Sequence, residues 1–174
     1  LILNTINPQL LSACLDKLPQ ATIIIDDSMP QTPDPKTNKY KNGMTKGDKW
    51  NDSVKPNATL PPYVKVKMPE CTTIGQEGCT SIRGLNTELV KQIQWKSKLE
   101  LVITGGTEFW EHGGKNGNTN HKIGSGTVDL RLETKLNDYI KSGTKTKVRD
   151  GTLYTKDGIQ YLLEPKQDHW HIEG

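Results

Sequence analysis

The chain is poor in apolar side chains, in thiols and in long hydrophobic runs, and each shortage excludes something. Apolar residues make up 32% of its 174 residues. Adding the 16 glycines raises the share to roughly 41%, slightly under the globular norm, so the deficit should be local. No stretch approaches the ~18 apolar residues that a membrane-spanning helix needs, so no transmembrane segment is expected. Cysteine occurs three times, at Cys14, Cys71 and Cys79. None forms a CxxC pair, which argues against a thiolate zinc site. Cys71 and Cys79 enclose two glycines and can close a small disulfide loop in an oxidising compartment. Excess charge is also missing: 23 basic and 20 acidic residues leave +3, without the concentrated basic face of a nucleic-acid binder. The run Lys141, Lys145, Lys147, Arg149 is read as a solvated loop after a helix.

At this length one domain with an appendage is expected. The chain begins at Leu1 rather than Met, so it is expected to be a fragment or to have lost an upstream signal or anchor. Asn7-Pro8 starts a helix with the stripe Leu10, Leu11, Cys14, Leu15, Leu18, which Pro19 ends. Ala21 to Ile25 is a short buried strand. From Asp27 to Pro62 six prolines and many polar residues replace large apolar ones. This is where the deficit lies, and the segment is expected outside the core, as an extended arm laid along the body. The division is therefore residues 1–70, helix, strand and arm, and residues 71–174, the domain proper.

Tyr63 to Met68 alternates valine with lysine, as an edge strand does. Asn86 or Thr87 caps a helix with Leu85, Leu89, Val90, Ile93 and Trp95 on its apolar face, ending near Lys98. Leu99 to Thr104 is a strand stopped by Gly105 and Gly106, and Gly113 to Asn120 is loop. Thr127 to Leu132 alternates as a strand, and a helix through Leu136, Tyr139 and Ile140 closes at Gly143. Lys156-Asp157-Gly158 is a hairpin turn between Leu153 and Leu163. The last strand is His169 to Glu173. Mixed elements without βαβ alternation give an α+β class, a small antiparallel sheet with flanking helices.

All four histidines, at 112, 121, 169 and 171, lie in the last third of the chain. His121 ends a glycine-rich loop and Asp129 follows eight residues later inside a strand. Gly124 and Gly126 let the backbone turn so that an imidazole and a carboxylate face one point. Asp168-His169-Trp170-His171-Ile172-Glu173 brings further ligand types from a distant part of the chain. Three protein ligands with an open fourth position is the arrangement of a catalytic zinc.

The pair of segments His121…Val128-Asp129-Leu130 and Asp168-x-Trp170-His171 resembles the signature of the zinc D-alanyl-D-alanine peptidases and their L-alanyl-D-glutamate endopeptidase relatives. Leu101-Val-Ile-Thr104-Gly-Gly is similar to the strand that leads into that family's active-site loop. The resemblance covers roughly residues 85 to 173. It implies a hedgehog-like fold, Zn2+ held by His121, Asp129 and His171, and hydrolysis of an amide bond in peptidoglycan stem or cross-link peptides. A monomer acting outside the cytoplasm, with no nucleic-acid partner, goes with it. Three departures stand out. The family separates its histidine and aspartate by seven residues, so here a bulge or the loop must absorb one more. Thr119 and Asn120 stand where the family often has serine. Thr107-Glu108 stands where it commonly has arginine, leaving Arg131 as a speculative substitute.

The general base has two candidates. Strand alternation puts His169, His171 and Glu173 on one face and nominates His169. The resemblance nominates Asp168, which is preferred because a base needs only to reach the water, and loops reach where alternation forbids. Glu173 is read as orienting a histidine, and His112 as a surface residue with a possible substrate or near-metal role. Phe109, Trp110 and Trp170 are packing aromatics. The alternatives are a non-catalytic, zinc-stabilised wall-binding module and a lysostaphin-type endopeptidase. The latter pairs His-x-His with His-x-x-x-Asp, which His121 and Asp129 do not match.

Overall fold

The computed structural model describes residues 32–50, 55–112, 120–149, 151–164 and 168–174. The helix expected at Asn7 to Leu18 and the strand at Ala21 to Ile25 lie outside the described residues. Among those described, two helices and seven strands form a mixed α+β fold. In chain order they are β1 (Val64–Val66), α1 (Glu88–Ser97), β2 (Leu101–Gly105), β3 (Val128–Arg131), α2 (Thr134–Lys141), β4 (Thr144–Val148), β5 (Gly151–Lys156), β6 (Ile159–Leu163) and β7 (His169–Ile172). The strands make one sheet in the order β1-β2-β3-β7-β6-β5-β4. It is larger than expected and not wholly antiparallel, because β1 runs parallel to β2. Since β1 precedes residue 70, the sheet crosses the boundary expected there.

Local chemistry explains the elements. The Asn86 side chain accepts the Glu88 N–H at 3.1 Å at the start of α1, and Lys98 closes that helix in the left-handed region at φ 58°. Val90 and Ile93 face the core. Trp95, expected on the same stripe, is 66% exposed. Two residues past Ile93 is about 200° round the helix, and its ring lies under the Lys98 ammonium. In α2 the pair Leu136 and Ile140, one turn apart, is buried. Asp157 and Gly158 both have positive φ, 52° and 79°, as the two-residue turn between β5 and β6 requires.

Two cores result. The larger lies on one face of the sheet and contains Ile93, Leu101, Ile103, Leu130, Ile140 and Trp170. Trp170 is fully buried and donates its indole N–H to Asn137 Oδ1 at 2.8 Å. The smaller gathers Tyr40, Trp50, Ile74, Phe109 and Trp110 around the Cys71–Cys79 disulfide. Tyr40 and Trp50 belong to the stretch expected to lie outside the core, and both are buried. Composition averaged over a polar segment hides two aromatic anchors. The basic run is likewise not a loop: Lys145 and Lys147 sit on β4, an edge strand exposed along its whole length. Backbone bonding to β5, not apolar patterning, holds it.

Strand parity in the middle of the sheet sets up the site. Val128 and Leu130 of β3, and Trp170 and Ile172 of β7, point into the larger core. Asp129, His169 and His171 therefore project from the other face. The register pairs Asp129 with His171 and Arg131 with His169.

Candidate metal centre

On that face Asp129 and His171 are cross-strand neighbours, with the carboxylate Oδ1 2.9 Å from His171 Nδ1. His121 arrives from the loop before β3. Its Nε2 lies 3.4 Å from Asp129 Oδ1 and 3.3 Å from His171 Nδ1. One ligand atom from each residue lies within 4.8 Å of the other two, close enough to hold one metal ion. The extra residue between His121 and Asp129 is taken up by the loop. His121 is not in the strand, so strand parity does not bind it, and the chain turns at Gly124 with φ 91°.

The approach of β2 to Asp129 needs glycine. A Cβ on Gly105 would collide with the Asp129 carboxylate, and one on Gly106 with the Ser81 carbonyl. The Gly106 carbonyl accepts the His121 Nδ1–H at 2.9 Å, which leaves Nε2 facing Asp129 and His171. On the other side Glu173 Oε1 stands 3.6 Å from His171 Nε2 and itself accepts from Asn120 at 2.6 Å. His121 thus has one nitrogen held by an orienting carbonyl and the other turned to the carboxylate, while His171 turns Nδ1 to the carboxylate with Glu173 near its other nitrogen.

Burial and charge oppose each other here. Burial raises the pKa of the Asp129 carboxyl, but the imidazoles of His121 and His171 outweigh it and hold the group well below its ordinary 3.8. Burial disfavours a charged His121, yet the Asp129 charge and hydrogen bond raise its pKa above 6.5. His171 is raised in the same way, burial again being outweighed by its bond to Asp129.

The remaining expected residues fall at different distances. His169 is close: its Nε2 is 3.4 Å from Asp129 Oδ2. Asp168 has a 97% exposed side chain and meets the group through His169, with Oδ1 3.4 Å from Nδ1. His112 is not a plain surface residue. Its ring stacks on His121 at 3.9 Å between centroids, and its Nδ1 is 3.7 Å from Asp129 Oδ2. Arg131 is half exposed and pairs with Glu133 at 3.9 Å. Glu108 was not foreseen as a participant. It is fully buried, 3.2 Å from His112 Nε2, and with His112 and His121 forms a second group whose atoms could hold an ion. Its only signal in the sequence is an acid placed between a glycine pair and Phe109-Trp110.

The site is a nearly closed carboxylate with an open rim. The side chains of His121 and Asp129 are 3% and 2% exposed, whereas those of His112, His169 and His171 are 15–22% exposed. No family model, no curated protein and no solved structure matches the chain.

Proposed function

We propose that this chain is a zinc-dependent peptidase that hydrolyses an amide bond in the stem or cross-link peptides of peptidoglycan, outside the cytoplasm. The observation that carries the metal part is the convergence of His121 Nε2, Asp129 Oδ1 and His171 Nδ1 within 4.8 Å, with His121 oriented from behind by the Gly106 carbonyl. Two imidazoles and a carboxylate suit zinc, and three protein ligands leave a position open. Ferrous iron also uses such a set. The resemblance to the D-alanyl-D-alanine peptidases supports zinc, the hedgehog-like fold and the peptide substrate. The Cys71–Cys79 disulfide supports an oxidising compartment.

When bound, zinc would polarise the scissile carbonyl and acidify a water. The chain's own part is positional. His121, Asp129 and His171 would hold the ion. His169, on the exposed rim and on the same face, takes the proton of the attacking water and returns it to the leaving amine. Asp168, bonded to the other nitrogen of His169, keeps that ring turned inward. In this proposal His169 is therefore the base, and Asp168 its partner.

The test is metal analysis followed by cleavage of muropeptides. One equivalent of zinc with turnover is expected. His169→Ala should cost about two to four orders of magnitude in kcat while retaining zinc, and Asp168→Ala distinctly less. Stoichiometric zinc without turnover on any wall peptide would leave the second reading, a wall-binding module. Thr107-Glu108 in the place of the family's arginine favours that reading.

A further inference from the structure

Glu108 is a carboxylate with no exposed surface, three residues past the end of β2. Such a group is costly to bury unless hydrogen bonds replace its water. Oε2 accepts the Ser81 N–H at 2.6 Å, and Oε1 accepts the Gly106 N–H at 2.7 Å. The same Oε1 is 3.2 Å from His112 Nε2. Ser81 and Gly106 are held together a second time, because Thr107 N–H donates to the Ser81 carbonyl at 2.8 Å. Gly106 then presents its own carbonyl to His121 Nδ1.

We infer that Glu108 is a positioning residue for the metal centre, a role that rests on the metal-binding reading above. By clamping Ser81 and Gly106 it fixes the carbonyl that selects which nitrogen of His121 carries the proton. Its bond to His112 holds that ring flat against His121. A direct ligand role is less well fitted. Both carboxylate oxygens are already occupied by short bonds from amide hydrogens. Nδ1 of His121 is bonded to the Gly106 carbonyl, and its Nε2 lies 3.3 Å and 3.4 Å from its partners on His171 and Asp129.

The test uses Glu108→Gln and Glu108→Ala in the full chain. Glutamine keeps the shape and one acceptor but turns an NH2 toward the second amide; alanine removes both acceptors. Zinc dissociation constants should rise about 10- to 100-fold in Glu108→Ala, and by less in Glu108→Gln. X-ray absorption of zinc-loaded Glu108→Gln should show the same number and kind of ligands as the unsubstituted protein. In the metal-free protein, proton–nitrogen NMR of the His121 Nδ1–H should show slow exchange with water, and Glu108→Gln should make it fast. The near-isosteric variant keeps the test readable should Glu108→Ala not fold. Unchanged affinity together with unchanged Nδ1–H exchange would overturn the inference. So would loss of an oxygen ligand in Glu108→Gln, which would make Glu108 a ligand. An unsubstituted protein that binds no zinc would sink the metal reading instead, while the exchange measurement would still decide what Glu108 does to His121.

Discussion

Asp129 is a buried carboxylate facing four imidazoles, with His121 and His171 on Oδ1 and His112 and His169 on Oδ2. Without a metal, the Asp129 charge favours the protonated forms of His121 and His171; a bound ion would take the place of those protons. The two states should therefore respond oppositely to pH. The Asp129 pKa is lowered on folding, so its contribution is present above the ordinary value of 3.8 and is lost as pH falls through the folded value. The pKa values of His121 and His171 are raised, so theirs is complete below 6.5 and is lost as pH rises through the folded values. Metal-free protein is expected to be most stable between these limits and to weaken as pH rises above 6.5 through the folded values of His121 and His171. Metal ligation requires neutral imidazoles, so stabilisation by zinc should grow over the same range. Melting curves with chelator and with zinc, run from pH 5 to pH 9, check this; parallel pH profiles in the two conditions would contradict it.

At the scale of elements, α2 is tied to the β5–β6 turn by one bond, Tyr139 Oη–H to Asp157 Oδ2 at 2.7 Å. Burial, then the bond to Asp157 and its charge, push the Tyr139 phenol up to about 12 from 10.0. The neutral phenol is the form the fold favours. Its contribution is complete below 10 and is lost as pH rises from there through about 12. Tyr139→Phe should cost about 1 kcal/mol at neutral pH and flatten part of the alkaline loss, read from denaturant titrations at pH 8 and pH 11. An unaltered alkaline slope would mean that the bond does not persist in solution. The same turn was legible beforehand, because only a few residue pairs accept two positive φ angles in succession. So was β7, whose alternation of histidine with Trp170 and Ile172 separates the two faces. β4 was not, since Thr144-Lys-Thr-Lys carries no apolar period and the strand is held by its neighbour. Of the smaller core, Phe109 and Trp110 were legible as packing aromatics, whereas Tyr40 and Trp50, which join them from a polar segment without any shared period, were not. At the site, the three ligand types could be read from the chain, but the closeness of His169 to Asp129 needed the register of β7 on β3. Glu108 needed the contact between Ser81 and Gly106, which no local pattern encodes.

Over the whole molecule, the smaller core is joined to the candidate metal centre by a buried path. The Trp50 indole donates to Ser81 Oγ at 2.8 Å, and that hydroxyl meets Thr107 Oγ1 at 2.9 Å. Ser81 N–H ends on Glu108, and Gly106 connects Glu108 to His121. Ser81 lies two residues beyond Cys79, so the disulfide anchors the segment from which this path starts. Closing so short a loop is worth about 2–3 kcal/mol by chain entropy. Replacing both Cys71 and Cys79 with alanine should therefore lower stability by about that amount. It should also loosen the packing of Trp50 on Trp110, whose rings now meet edge to face at 5.2 Å. If the path is continuous, the loosening reaches His121, and zinc binding weakens together with a red shift in tryptophan fluorescence. The two readouts separate the possibilities: a fluorescence change with undiminished zinc affinity would show that the clamp at Ser81 holds without the disulfide, and that the smaller core and the candidate metal centre are energetically independent.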